Sequence, residues 1–417
     1  QESRGLGDVY KRQLIYGVDT KKILIKKSII NFYIYNKDAT IADLSKEFNL
    51  SGPTVAKIIS EMIEEGFIID YGKLKTCNGG RRPNLYGLNP ESGYFVGVDI
   101  KKFGVNIGVV NFKGDVVDLQ SNISFKNDNT IGAFNTLCEV IQTFINKHKS
   151  IRNKILNINV NISGRINAES GYSYSTFYFG ERPLTDLFYE KLGYRVFIDN
   201  NTRAMLYGEY MSNNTSNAKN IIFVNISWGL AISIMINGQL YYGESGFAGE
   251  FGHMSVFDNE ELCHCGKKGC LETETSGSAI HRIFMKRVLN GENSILSAPI
   301  KEGQEIELSD IIDAVNKEDI LAIDIIEEVG NKLGKYIAGL INIFNPGLVI
   351  IGGELSQTGD YISLPIISAI NKYSLNLANK DSVITLSKLK DKAGVIGACM
   401  LARNNYLKLS QIGGYKY

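Results

Sequence analysis

The segment GESGFAGEFGHMSVFDNEELCHCGKKGCLETETSG, residues 243–277, is the most informative stretch of the chain. Three of the six cysteines, Cys263, Cys265 and Cys270, fall within a span of eight residues, and His253 lies ten residues before the first of them. Three thiolates and one imidazole form the ligand set of a closed structural zinc site, which keeps no open position for catalysis. The segment therefore predicts a structural Zn²⁺ ion bound by these four side chains.

Three neighbouring residues bear on this assignment. Gly266 and Gly269 lie between the cysteines and allow the tight turns that a metal-binding loop needs. His264 is a competing fourth ligand, although its place between two ligating cysteines strains simultaneous binding. The alternative is a loop of three reduced cysteines without a metal, which the two glycines make the less favoured interpretation.

Length and composition describe a globular protein of several domains. A chain of 417 residues is too long for one ordinary core, and 44% hydrophobic against 21% charged residues is not the composition of a disordered chain. No apolar run is long enough to span a bilayer, so we expect no membrane partner. The opening residues 1–19 lack a hydrophobic period, and we expect them to be a non-native or disordered leader. The scattered remaining cysteines favour a reducing cytoplasm over a disulfide framework.

The front of the chain has the pattern of a helix-turn-helix. Residues 21–36 read as an amphipathic helix with apolar positions at Ile23, Leu24, Ile30 and Ile34. Thr40 is placed to cap a second helix that ends at Phe48, and Ser51 to cap a third that Gly66 ends. The buried stripe of the third helix is expected to comprise Val55, Ile58, Ile59, Met62 and Ile63.

Residues 67–89, FIIDYGKLKTCNGGRRPNLYGLN, read as two extended runs joined by a basic, glycine-rich tip, which is typical of a wing. Residues 21–90 also carry eleven Lys or Arg against seven Asp or Glu. We therefore expect residues 20–90 to be a winged helix-turn-helix that binds operator DNA. The expected major- and minor-groove contacts are Ser51, Thr54, Lys57, Arg81 and Arg82.

The remainder of the chain repeats one pattern. Residues 93–124 read as three β-rich runs joined by tight turns, and residues 220–245 repeat this arrangement with an Asn-Gly turn. Helical segments at 131–148 and 324–344 follow the two sets. The repetition predicts two similar α/β lobes, 91–210 and 211–417, with a ligand-binding cleft between them. The C-terminal helix is a candidate for return to the first lobe.

The motifs GEFGH and CHCGKKGCLE together resemble the signature of the ROK family of repressors and sugar kinases. The resemblance runs from about residue 40 to residue 403, with GGRRP after the winged helix, IDNNTRAMLYGE at 198–209 and NPGLVIIGGELS at 345–356. It implies an α/β, actin-like sugar-kinase fold of duplicated ribonuclease H-like lobes. It also implies that Glu250, His253 and Glu272 contact a sugar, through carboxylate acceptors and the second nitrogen of a zinc-bound imidazole.

The chain departs from the kinase pattern of this family at three places. The Asp-x-Gly-Gly-Thr phosphate loop is replaced by residues 99–103, DIKKF, and a Gly-Thr-Gly run is replaced by residues 227–231, SWGLA. The Asn-Asp pair that supplies the general base aligns with Asn200 and Asn201. An amide cannot act as a general base at neutral pH, but it can hydrogen-bond a sugar hydroxyl.

These departures predict a protein without enzymatic activity, in which a sugar or sugar phosphate controls DNA binding by a homodimer or homotetramer. An active ROK sugar kinase with an appended DNA-binding domain is the main alternative. A DNA-binding module whose body only dimerises is a further alternative. A zinc hydrolase is disfavoured because three thiolates and a histidine saturate the metal.

Overall fold

The structure is a computed structural model that describes residues 21–74, 82–212, 215 and 218–408. Its front part consists of three helices and a two-stranded antiparallel sheet. The elements are α1 (Lys21–Asn36), α2 (Ile41–Phe48), α3 (Gly52–Glu64), β1 (Ile68–Lys73) and β2 (Asn84–Leu88). Within the described part of the chain, no helix combines the length and the apolar character that crossing a membrane requires.

The two predicted helix caps are present. The Thr40 hydroxyl accepts a hydrogen bond from the Asp43 amide while the Asp43 carboxylate accepts one from the Thr40 amide, which is a capping box. The Ser51 hydroxyl accepts the amide of Thr54 at the start of α3. Gly66, in the left-handed region with φ +79°, follows the end of this helix.

Two expectations about buried faces are wrong. In α1 the buried apolar residues are Ile25, Ile29, Ile30 and Tyr33, and of the four predicted positions only Ile30 is buried. The face turns because Lys26 is buried, with a side chain 7% exposed, and its ammonium pairs with Glu61 and Glu65 of α3. In α3 the stripe ends at Met62, and Ile63 is 37% exposed.

The remainder of the chain contains two five-stranded sheets and their helices. The elements that contribute to the first half are β3 (Tyr94–Ile100), β4 (Gly104–Asn111), β5 (Val116–Ser124), α4 (Ile131–Lys147), β6 (Ile155–Ile162), β7 (Ile166–Asn167), β8 (Tyr172–Ser173), α5 (Leu184–Leu192) and β9 (Val196–Asn200). The chain continues with α6 (Asn201–Met211), β10 (Ile221–Ile226), β11 (Leu230–Ile236), β12 (Gln239–Leu240), α7 (Glu272–Thr275), α8 (Gly277–Leu289), α9 (Ser297–Lys301), α10 (Leu308–Asn316), α11 (Ile320–Phe344), β13 (Leu348–Gly352), α12 (Asp360–Tyr373), α13 (Asn376–Asp381), β14 (Val383–Leu386) and α14 (Ala393–Leu407).

The two sheets have the same topology. One has the order β5-β4-β3-β6-β9 and the other β12-β11-β10-β13-β14, so in each an antiparallel meander of three strands is extended by two further strands. The fourth strand pairs in parallel with the first strand of the meander in both sheets. The predicted repetition of the lobes is therefore confirmed at the level of strand order.

By contact density the chain divides into two compact units. Unit 1 comprises the described parts of Gln1–Ile162, Gly171–Asp199 and Ala398–Tyr417, and unit 2 comprises Ser163–Ser170 and Asn200–Gly397. The winged helix and the first sheet thus share unit 1, whereas α6, which the sequence assigned to the first lobe, falls in unit 2. Helix α14 begins in unit 2 and ends in unit 1.

Candidate metal and ligand site

Four side chains of unit 2 converge into a cluster that can hold a metal ion. They are His253, Cys263, Cys265 and Cys270, whose ligand atoms all lie within 4.8 Å of one another. The sulfur atoms of Cys265 and Cys270 are 3.6 Å apart, and Nδ1 of His253 is 3.5 Å from the sulfur of Cys263. The structure therefore brings the four predicted ligands together.

The loop that carries the cysteines is shaped by two residues with positive φ. Gly266 and Gly269 have φ +85° and φ +72°, as the spacing of the ligands predicted. A Cβ atom at Gly269 would overlap the carbonyl oxygen of Phe257, so this position excludes every side chain on two grounds. Short antiparallel bridges, Ser255 with Cys270 and Leu262 with Lys268, hold the loop closed.

His253 presents its two ring nitrogens to different partners. Nδ1 is directed to the Cys263 sulfur, while Nε2 lies 3.5 Å from a carboxylate oxygen of Glu250. If Nδ1 is a metal ligand, Nε2 must carry the proton, so it is a fixed donor beside Glu250.

Glu272 is buried and faces the metal cluster with one oxygen. Its Oε1 lies 2.8 Å from Nδ1 of His264 and accepts a hydrogen bond of 2.9 Å from the Cys263 thiol. This carboxylate raises the pKa of His264. Together with His253, these two residues form a second possible metal group, so His264 is a carboxylate partner as well as a potential ligand.

Asn200 and Asn201 lie at the N-terminus of α6. Asn200 caps the helix by accepting the Thr202 amide at 2.9 Å, and its Nδ2 donates to the Gly164 carbonyl. Asn201 donates from Nδ2 to the Ser163 hydroxyl at 2.9 Å. The neighbouring Asp199 is fully buried. The two amides thus hold the loop after residue 162 against the start of α6.

Arg203 is a buried residue at this site that the sequence analysis did not single out. Its guanidinium donates to the carbonyl oxygens of Gly246 at 2.8 Å and Ile166 at 3.3 Å, and it stacks over the ring of Tyr242. It therefore joins the N-terminus of α6 to the segment that leads into Glu250. An arginine within the otherwise uncharged run NNTRAMLYG was the available signal.

The oxygen atoms of the loop at residues 227–229 accept hydrogen bonds from the start of α8 and from residue 354. At the start of α8 the amides of Gly277 and Ser278 donate to the carbonyl oxygens of Ser227 and Trp228, at 2.8 and 2.9 Å. The Ser227 hydroxyl accepts the amide of Glu354 at 3.2 Å. Backbone amides that could bind an anion at a helix N-terminus are therefore engaged within the protein.

The expected DNA contacts lie on the surface of unit 1. Ser51, Thr54 and Lys57 are exposed along one edge of α3, and the Ser51 and Thr54 hydroxyls are 2.7 Å apart. Arg82 is exposed and lies two residues before the start of β2. Arg81 lies outside the described residues.

Comparison with known proteins identifies both parts of the chain. The family model described as "ROK family" matches residues 102–405, and one described as "Winged helix-turn-helix DNA-binding" matches residues 24–69. A xylose repressor of Caldicellulosiruptor bescii is 31% identical over 396 residues, which cover 94% of this chain and 97% of the relative.

Two solved structures are similar throughout their length. A ROK family transcriptional regulator, a homologue of the E. coli MLC protein, has a TM-score of 0.76 and 27% identity and covers 94% of this chain and 99% of its own. A ROK family glucokinase from Streptomyces griseus, in complex with glucose and AMPPNP, has a TM-score of 0.64 and 25% identity and covers 75% of this chain and 100% of its own. The expected actin-like sugar-kinase fold is thereby confirmed. The chain belongs to the ROK family, as a DNA-binding transcriptional regulator in which a winged helix-turn-helix precedes the ROK domain.

Proposed function

We propose that this regulator binds a sugar at the α6 N-terminus and the metal cluster, that the sugar changes its affinity for operator DNA, and that it does not phosphorylate the sugar. One observation carries the proposal: the polar groups suited to sugar hydroxyls are retained, whereas the amides of Gly277, Ser278 and Glu354 around the loop at 227–229 donate to oxygen atoms of that loop. The reducing cytoplasm expected from the cysteines is part of the proposal.

The metal in this proposal is structural zinc. With Zn–S bonds of about 2.3 Å and a Zn–N bond of about 2.0 Å, tetrahedral geometry needs ligand separations of roughly 3.8 Å between sulfurs and 3.5 Å between sulfur and nitrogen. The separations of 3.6 and 3.5 Å in the cluster fit this geometry. Zinc held there would brace the loop that carries His253 and Glu272.

The sugar contacts in this proposal are donors and acceptors with defined directions. Nε2 of His253 and the Glu250 carboxylate supply one donor and one acceptor side by side. Oε1 of Glu272 is paired with Nδ1 of His264 at 2.8 Å, so its second oxygen is the atom left for a hydroxyl. The proposed set is Asn200, Asn201, Glu250, His253 and Glu272.

Loss of phosphotransfer follows from two properties of the site. Asn201 offers an amide where the family resemblance expects the general base, and losing such a base costs about 10²–10⁴ in rate. The amides of Gly277, Ser278 and Glu354 already have acceptors, so an ATP phosphate would have to displace them. The two effects are independent and act in the same direction.

DNA binding in this proposal uses two winged helices of a homodimer or homotetramer, because operator half-sites are read in pairs. Exposed Ser51, Thr54 and Lys57 would face the major groove, and Arg81 and Arg82 the minor groove. Changing both arginines to alanine is expected to weaken DNA binding without changing sugar affinity. Unchanged DNA affinity would contradict the wing assignment.

The decisive test combines a thermal-shift screen with a phosphotransfer assay. The screen covers D-xylose, D-glucose, amino sugars, oligosaccharides and sugar phosphates, and each ligand that raises the Tm is then assayed with ATP in a coupled assay. We expect at least one ligand to raise the Tm and to change DNA affinity, with no turnover of ATP. A screen without any shift would favour a body that only dimerises.

The second candidate function is an active sugar kinase with an appended DNA-binding domain. The observation that favours it is the likeness to the glucokinase solved with glucose and AMPPNP. Catalytic accumulation of a sugar phosphate in the same assay would establish this alternative and overturn the proposed function.

A further inference from the structure

A turn of the first sheet packs into the winged helix-turn-helix. Phe112, in the turn between β4 and β5, is fully buried, with its ring centroid 5.8 Å from Phe67 and 6.0 Å from Phe95. Phe95 in turn lies 5.7 Å from Tyr406 of α14. Since Phe67 follows α3, a continuous row of four aromatic rings runs from the winged helix to the C-terminal helix.

A polar network runs beside this row. The Lys113 ammonium lies 3.3 Å from a carboxylate oxygen of Asp38 and 4.7 Å from the ring centre of Tyr71, both in the winged helix. The Lys113 carbonyl accepts a hydrogen bond of 2.6 Å from the Arg403 guanidinium of α14. A Cβ atom at Gly114 would be 2.5 Å from the same guanidinium, so the turn approaches α14 closely.

The segment between β2 and β3, which links the winged helix to the first sheet, is hydrogen-bonded at the same place. The Asn89 amide donates to the Phe67 carbonyl at 2.9 Å, and the Phe112 amide donates to the Pro90 carbonyl at 3.2 Å. Burial lowers the pKa of Lys113, but Asp38 and Tyr71 raise it more, so its ammonium stays charged at neutral pH. The contact between the winged helix and the first sheet therefore has an apolar centre and a charged edge.

Helix α14 continues from this contact to the proposed ligand site. At its start, Gly397 packs so closely on α6 that a Cβ atom would overlap the Ala204 carbonyl, and a Cβ atom at Gly208 would lie 2.6 Å from the Ala393 carbonyl. Asn200 and Asn201 lie at the N-terminus of that same α6. Each of these contacts lies within one unit, and α14 is one of the places where the chain itself passes from one unit to the other.

We propose that Lys113 and Arg403 are positioning residues that hold the winged helix-turn-helix on the end of α14. Because the start of α14 packs on α6, the orientation of the winged helix-turn-helix then depends on α14. The effector half of this inference rests on the proposed function, because a sugar at Asn200 and Asn201 would act on α6. The positioning half does not. A two-state change in α14 would then bias DNA affinity without any residue contacting both ligands.

The first test measures, without any ligand, the stability of the contact that Phe112 and Lys113 make with the winged helix and α14, which is called the joint below. In hydrogen exchange of the full chain, Lys113→Met should speed exchange of the Asn89 and Phe112 amides at least five-fold. Lys332→Met is the matched control, since Lys332 is a similarly exposed lysine (31% against 27%) that pairs with Glu274 and Glu328 in unit 2. Equal exchange in the two variants would overturn the proposal.

The second test measures DNA affinity by fluorescence anisotropy, on a duplex selected from random DNA by the wild-type protein. Lys113→Met should change the Kd at least three-fold, and the swap Asp38→Lys with Lys113→Asp should restore it towards wild type. Arg403→Lys, which keeps one donor, should have a smaller effect than Arg403→Met. A purely structural role would lower the Tm of the variants and leave the Kd of the folded protein unchanged, which would refute positioning.

The third test adds D-xylose or D-glucose to the same DNA titration. We expect the ratio of Kd with and without sugar to shrink at least three-fold in Lys113→Met and to stay at the wild-type value in Lys332→Met, with sugar affinity equal in both. If every sugar leaves the Kd of the wild-type protein for DNA unchanged, the proposed function is refuted. The first two tests would still decide whether Lys113 and Arg403 are positioning residues. An unchanged ratio in Lys113→Met would refute the transmission through this joint.

Discussion

The loop at residues 227–229 and the N-terminus of α6 differ in what their polar groups face. Around 227–229, the amides of Gly277, Ser278 and Glu354 donate to the Ser227 and Trp228 backbone or hydroxyl oxygens. At α6, amide groups of Asn200 and Asn201 order the loop, while Glu250 and Nε2 of His253 stand side by side near a metal cluster. The groups around 227–229 satisfy one another, as do the amides of Asn200 and Asn201, whereas Glu250 and Nε2 of His253 are the groups proposed to meet a ligand.

In the proposed function, sugar binding and phosphotransfer are separate properties of one fold. A sugar site needs donors and acceptors that stay unsaturated, whereas a phosphate loop needs amides that are free in the resting protein.

The largest effect is expected from Cys265→Ser, which removes one ligand of the metal cluster. The zinc content of the purified protein should fall from about one per chain to near zero, and the sugar-induced Tm shift should disappear, because folding of the loop depends on the metal. Elemental analysis and the thermal-shift assay measure the two changes. Cys138→Ser, outside the cluster, is the control and should keep its metal. Retained stoichiometric zinc in Cys265→Ser would mean that a different ligand set, such as one with His264, is used.

A smaller effect is expected from Arg203→Met, which leaves the Gly246 and Ile166 carbonyls without their buried donor. The free energy of unfolding should fall by about 1–3 kcal/mol for each buried carbonyl left without a donor. Sugar affinity should fall with it, because the segment before Glu250 loses its tie to α6. Calorimetry gives both values, and Arg287→Met, which breaks an exposed ion pair with Glu292, is the control. Undiminished sugar affinity in Arg203→Met would exclude this residue from the site.

The smallest effect is expected from Asn201→Asp, which places a carboxylate where the family resemblance expects the general base. The Ser163 hydroxyl can turn to donate to it, so the loop should remain in place. Sugar affinity should change no more than a few-fold, and the coupled assay should still detect no phosphotransfer because the loop at 227–229 stays closed. A gain of about 10²-fold or more in turnover, which the base alone can supply, would show that this loop admits ATP. Asn200→Asp is the matched control.

Local signals in the sequence were sufficient for the caps and for the metal ligands. Thr40 and Ser51 were identified because a hydroxyl before an apolar run caps a helix whatever packs on that helix. The cluster of His253, Cys263, Cys265 and Cys270 was predicted because the spacing of these residues and the two glycines specify a closed loop of their own. In both cases, interacting groups lie within about twenty residues of one another along the chain.

Local sequence signals failed where a residue is paired with partners far away along the chain. The buried face of α1 was misassigned because Lys26 is buried by partners 35 and 39 positions away, Glu61 and Glu65. Arg203 was overlooked because its carbonyl partners are up to 43 positions away. The contact between Lys113 and Arg403 spans 290 positions and has no local pattern at all.

Residue types at short, regular spacings were enough to predict the helix caps, the repeated meander, the cysteine loop and the family. The folded structure was needed to see which polar groups are satisfied: the oxygen atoms of the loop at 227–229, the buried guanidinium of Arg203 and the contact of Lys113 with the winged helix. The physical reason is that a hydrogen bond or ion pair depends on the distance between two atoms in space, and the separation of their residues along the chain does not specify that distance.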